Sequence, residues 1–176
     1  MADFYRSLQI DYPKFFKMDG LSKLGFLAAE KIFEESENRF VSREDIALVG
    51  FNRSSSLEVD RRYQETIQDT KNYFPSPSVF VYTLPNIVLG EIAIRNKLFG
   101  EAAFYVCEEF DTEQITRTAT NAFQDREVNR VLLAWLEYEA DTCEAVMLLI
   151  GKIPTEMTFN EENLLAIKNQ KTNTSK

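Results

Sequence analysis

The apolar positions follow two different periods along the chain. In "GLSKLGFLAAEKIFEES" (20–36), Leu21, Leu24, Phe26, Leu27, Ala28, Ile32 and Phe33 recur at helical spacing, which predicts a helix with one buried face. "EDIALVGF" (44–51) is a short apolar run closed by Gly50 and reads as a buried strand. "NRSSS" (52–56) is a polar turn. The helix expected after it, over "SLEVDRRYQETIQD", has Ser55 or Ser56 as its N-cap.

"FPSPSVFVYT" (74–83) carries two prolines and is not a central strand throughout. Pro85 suits the first turn of a helix over "PNIVLGEIAIRNKL" that ends before Gly100. That helix is apolar nearly all round, and Gly90 in its middle suggests close approach of another backbone. "AAFYVC" (102–107) is a strand and "DTEQITRTATNAFQ" (111–124) a helix, with Asp111 and Gln114 in capping-box spacing. "RVLLAWL" (130–136) and "CEAVMLLIG" (143–151) are strands joined by a short connection, so they pair antiparallel. "NEENLLAIKNQ" (160–170) is a short final helix. Helices alternating with buried strands imply an α/β fold, a mixed sheet with helices on both faces.

A length of 176 residues suits one domain with a substantial core. We expect that domain to span 1–170, with a flexible tail at 171–176. The 28 acidic and 20 basic residues leave a net charge of −8, which disfavours a nucleic-acid or anionic-membrane surface. No leader or membrane-spanning run is evident in the sequence, so a cytoplasmic protein is expected. The two cysteines, Cys107 and Cys143, form neither a disulfide framework nor a CxxC pair.

Histidine is absent, with a count of zero. Ser-His-Asp and Cys-His catalysis within the chain is thereby excluded, as are His-ligated metals. No metal or cofactor is expected.

Several segments, taken in order, resemble the N-terminal half of the β-ketoacyl-ACP synthases of the thiolase-like superfamily. "FKMDGLSKLGFLAAEKIF" is similar to that family's "R-M-D-R-F…A" helix, with Met18 and Asp19 in register. "IALVGFN" resembles its next strand. "LPNIVLGEIAIRNKLFG" matches its Pro-Asn-containing helix at Pro85, Asn86, Gly90, Ile92, Ile94, Arg95, Leu98 and Gly100. "AAFYV" takes the place of the strand leading to the nucleophile. "VLLAWLE" and "CEAVMLLI" take the places of the two strands that follow. The resemblance covers about residues 14–150 and implies half of a thiolase-like fold. The family's first strand has no clear counterpart; "YRSLQI" (5–10) is one candidate and a smaller sheet the alternative.

The family writes roughly "V-D-T-A-C-S-S" after its strand. With Val106 as the valine, Phe110 stands where the resemblance places the nucleophilic cysteine. Cys107 stands three residues early. A nucleophile elbow needs a thiol at a helix N-terminus, small neighbours and a free N–H for the oxyanion. "CEEFDTEQI" supplies bulk and acid instead, and the family's histidines have no counterpart. Cys107 therefore reads as a small core residue at a strand end, and Cys143 likewise as core. A displaced nucleophile at Cys107 is the alternative.

Arg53, Arg61 and Arg62 suit phosphopantetheine or an acidic carrier, or i,i+4 pairing with Glu58, Asp60 and Glu65. Asn86 and Phe110 complete the candidate binding set. Glu137, Glu139 and Asp141 read as a solvated acidic face, Trp135 and Tyr138 as core and rim. Phe15, Phe16, Phe80 and Tyr82 lie outside clear core elements and suggest an exposed apolar patch.

The expected function is that of a catalytically inactive, truncated ketosynthase-like partner or scaffold subunit in fatty-acid or polyketide-type biosynthesis. The resemblance implies dimerisation through Ala102, Ala103, Phe104, Tyr105 and Val106, with a second copy or a full-length ketosynthase. An acyl-chain or acyl-carrier-protein binding module and an enzyme using Cys107 are the alternatives.

Overall fold

The computed structural model describes residues 1–34, 36, 39–153 and 157–170. The expected tail, 171–176, lies outside the described residues. Seven helices and four strands alternate among them: α1 (Ala2–Ser7), α2 (Gly20–Ile32), β1 (Ile46–Asn52), α3 (Leu57–Ile67), α4 (Pro77–Phe80), α5 (Ile87–Asn96), β2 (Ala102–Val106), α6 (Thr112–Ala122), β3 (Arg130–Glu139), β4 (Thr142–Gly151) and α7 (Glu161–Asn169).

The strands form one sheet in the order β2-β1-β3-β4. β1 runs parallel to both neighbours, and β3 and β4 form an antiparallel pair from Arg130↔Gly151 to Glu139↔Thr142. The sheet is therefore mixed, as expected. β1 is buried at all seven positions because it is flanked on both edges and covered on both faces.

Period-two alternation sorts each strand between two cores. Ile46, Leu48, Leu132, Ala134 and Leu136 face α2 and α5. Ala47, Val49, Phe51, Leu133 and Trp135 face α6 and α7. α2 starts at Asp19, whose carboxylate accepts from the N–H groups of Leu21 and Ser22, both at 3.1 Å. Burial raises the Asp19 carboxyl above its usual range, and those bonds act against the rise.

Several expectations are corrected. "YRSLQI" supplies no strand: residues 2–7 form α1, and Tyr5 stacks on Phe15 at 4.2 Å in a separate aromatic cluster with Met18, Phe26 and Leu27. Phe15 is thus buried, and Tyr82 is half-buried and donates to Glu91 at 3.0 Å. Only Phe16 and Phe80 of the four aromatics are exposed.

Gly90 has open space beside it rather than a close backbone. The tight approach lies at Gly25 of α2, where a Cβ would come within 2.3 Å of Val88 Cγ2 on α5. α5 ends at Lys97, which takes the left-handed conformation (φ 54°). Ser56 holds the N-cap position of α3, but its hydroxyl donates to the Thr83 carbonyl (2.6 Å) instead of capping. Cys143 is exposed, not core, because it lies at the outer end of an edge strand.

Candidate functional site

The carboxyl ends of β1, β2 and β3 lie together at one end of the sheet. In parallel α/β sheets this end carries the loops that bind ligands. Here the loops are held by the protein's own groups.

The loop after β1 turns back on itself through Asn52, whose side chain accepts from Ser55 N–H (3.0 Å) and donates to the Ser55 carbonyl (2.8 Å). The buried Glu137 carboxylate, at the end of β3, accepts from the N–H groups of Arg53 (2.8 Å) and Ser54 (3.2 Å) and from the Ser54 hydroxyl. Glu137 therefore occupies backbone donors that an external anion would otherwise use. It is not part of a solvated face. The signal was its position: Glu137 directly continues the run 131–136 of β3, buried on both faces.

The loop after β2 is anchored by Cys107 N–H, which donates to the Asn52 carbonyl at 2.8 Å. Asp111 then caps α6, accepting from Gln114 N–H at 3.0 Å. Between them, Phe110 packs edge-on against Trp135 with ring centroids 5.2 Å apart, and Lys168 of α7 lies 5.2 Å from its ring centre. Lys168 also pairs with Glu144, which accepts from Trp135 Nε1 at 3.3 Å. Phe110 is thus a wedge between the sheet and α7.

Cys107 packs beside Phe110 in the same cluster. Burial, and then the charge of Asp111, push its thiol above the usual range. That is the opposite of what a thiolate nucleophile requires. Iodoacetamide at neutral pH is expected to modify the exposed Cys143 well before Cys107. The Cys107 rate should climb only above the ordinary thiol range, because its raised pKa delays the thiolate. Peptide mass spectrometry over a pH series reads this, and faster modification of Cys107 would contradict the inert-thiol reading.

The remaining candidates are dispersed. Arg61 pairs with Glu139 of β3, and Arg62 lies 3.9 Å from Glu58 one helical turn away. Neither arginine points free toward Phe110. Arg53 is exposed. Asn86 is exposed at the start of α5, on the opposite face of the sheet from Phe110, and makes no side-chain cap. Ala102–Val106 form an edge of the sheet, as the expected pairing strand requires. Among the described residues, no three acidic or cysteine side chains group to hold a metal, and no single helix is long and apolar enough to cross a membrane.

No family model matches the chain, and no curated protein matches it significantly. Among solved structures, it is similar to a chain of the ketosynthase (ApeO) in complex with its chain length factor (ApeC) from Xenorhabdus doucetiae. The similarity has a TM-score of 0.55 at 16% identity and covers 74% of this chain and 51% of that one. The fold is ketosynthase-like. The chain spans about half the length of the protein it matches, and the expected half of a thiolase-like α/β fold is what the structure has.

Proposed function

We propose that this chain is a catalytically silent, ketosynthase-like subunit that acts by pairing through β2. The observation that carries the reading is the open edge of that strand in a ketosynthase-like fold. Among the described residues β2 bonds only to β1, and Tyr105 and Val106 are exposed beside it. An unpaired edge with exposed apolar residues is a template for another strand. The wedge at Phe110 and the raised thiol of Cys107 support silence at the elbow. The likeness to a ketosynthase in complex with its chain length factor supports a partner role.

The backbone identifies which residues face the partner. Glu101 accepts from Leu48 N–H and Cys107 donates to Asn52, so odd-numbered residues turn their polar groups toward β1. Residues 102, 104 and 106 turn theirs to the open side. Val106→Pro removes one open-side donor and leaves the β1 ladder intact.

Light scattering on the chain, alone and mixed with a full-length ketosynthase, tests the reading. A homodimer or a stoichiometric complex is expected, and Val106→Pro should weaken it at least about tenfold, near 1.4 kcal/mol, with little change in Tm. A monomer that ignores the synthase would overturn the proposal.

A further inference from the structure

The edge of β2 is apolar along its length and acidic at both ends. Tyr105 and Val106 are exposed within the strand. Glu101 stands immediately before it, and Glu108 and Glu109 follow it, all three exposed. Between Lys97 and Arg117 the chain carries five acidic residues and no basic one. Arg117 stays with its own helix, 3.9 Å from Glu113. Among the described residues, no Lys or Arg forms an ion pair with Glu101, Glu108 or Glu109.

These charges act on any strand that pairs with β2. A second copy, pairing antiparallel in full overlap, puts Phe104 opposite Phe104 and Ala102 opposite Val106. Continued past the strand ends, that register sets Gly100 opposite Glu108 of the other copy. Glu101 then lies diagonal to Glu109 on the same face, about 7–8 Å away. The two-fold axis repeats the clash at the other end. A parallel arrangement brings each glutamate to its own copy instead. Like charges at this range repel, and physiological salt screens them only in part, because its Debye length is about 8 Å.

Charges that forbid all pairing lie along an edge strand. Here they lie only beyond its ends, and the middle stays apolar. A groove of about 240 Å³ beside the strand is lined by Glu101, Ala103 and Tyr105, with Thr118 and Asn121 of α6 opposite. Glu101 is the charged group of its described lining. The groove gives a long cationic side chain from a neighbouring strand a carboxylate to meet.

We propose that the β2 edge disfavours a second copy and takes the edge strand of a different chain with Lys or Arg at both ends. Glu101, Glu108 and Glu109 set this choice, attracting one partner by the same charges that repel the other. The proposal rests on pairing through β2 and adds to it the charge of the partner.

Sedimentation of the chain and its charge variants, at low and high salt, tests it. Glu101→Lys alone sets a cation against Glu108 and Glu109 at both ends. It should self-associate at least about tenfold more tightly than the unchanged chain at low salt. Glu108→Lys with Glu109→Lys, keeping Glu101, should do the same and guards against a folding defect in the first variant. The chain with all three lysines should stay apart from itself and form one-to-one pairs with the unchanged chain. High salt should narrow every one of these differences. Adding Val106→Pro to Glu101→Lys should undo the gain, because the contact runs through the strand edge. An unchanged chain that self-associates at low salt as tightly as the lysine variants would overturn the charge rule; if Val106→Pro breaks that dimer, pairing through β2 still stands. A gain that survives Val106→Pro would overturn both. No gain in either lysine variant, with no pairing in the mixture, would overturn the proposal.

Discussion

Replacing Glu137 with alanine is expected to destabilise the protein by about 3 kcal/mol, roughly 6–12 °C in Tm for a chain of this size. The carboxylate is buried and accepts from Arg53 N–H, Ser54 N–H and the Ser54 hydroxyl. Alanine leaves these donors facing a gap. A neutral hydrogen bond is worth about 1 kcal/mol net, and bonds to a charge are worth more. Relaxation of the exposed Arg53 toward water recovers part of the loss. Glu137→Gln keeps one acceptor oxygen and should cost less. Thermal denaturation of both variants checks this. A loss under about 1 kcal/mol for the alanine variant would mean that Asn52 alone holds the loop.

The second large effect is expected at Glu30, at the opposite end of the sheet. Its buried carboxylate on α2 accepts from Arg39 and, at 2.9 Å, from Arg95 Nε of α5. Arg39 also reaches Asn96 Oδ1 at 3.0 Å, and the Arg95 guanidinium lies over the rings of Tyr12 and Phe40, 4.9 and 4.7 Å from their centres. One carboxylate therefore ties α2, α5 and the approach to β1. Glu30→Ala leaves two largely covered guanidinium groups without their anion, a loss of about 3 kcal/mol. Because the partners are shielded, the loss should persist in high salt, unlike that of a surface pair. A loss that vanishes in high salt would show that the cluster is solvated.

Both carboxylates bear on function through the frame they hold. Glu137 blocks the backbone donors at the end where an α/β sheet usually receives a ligand, while Phe110 fills the turn beside it. The described loops at this end of the sheet are held by Asn52, Glu137 and Phe110. Among the described residues the β2 edge remains open, and the proposed pairing rests on it.

Much of this was legible in the residue order. Short apolar runs placed all four strands, 3.6-residue spacing placed α2, and Pro85 and Gly100 bracketed α5, because these are local patterns. Asp111 three residues before Gln114 announced the start of α6. The bulk of Phe110 after β2 and the absence of histidine were equally plain in the residue order.

Residues 5–10 misled because an aromatic, β-prone string can serve a helix and its turn equally well; Tyr5 stacking on Phe15 decided between them. Gly90 misled because a glycine in a helix signals close packing only if a neighbour is there, and that neighbour sits at Gly25 instead. Cys143 misled because a strand residue is core only where something covers it.

By itself, then, the sequence determined most of the elements, their faces and the absence of histidine. These follow from the spacing of residues and from the side chains present. Only the tertiary structure decided the strand order β2-β1-β3-β4, the open edge, and the pairing of Glu30 and Glu137. Each of those depends on contacts between residues far apart in the chain. Local periodicity tells which way a side chain points, and the packed fold alone tells what it meets.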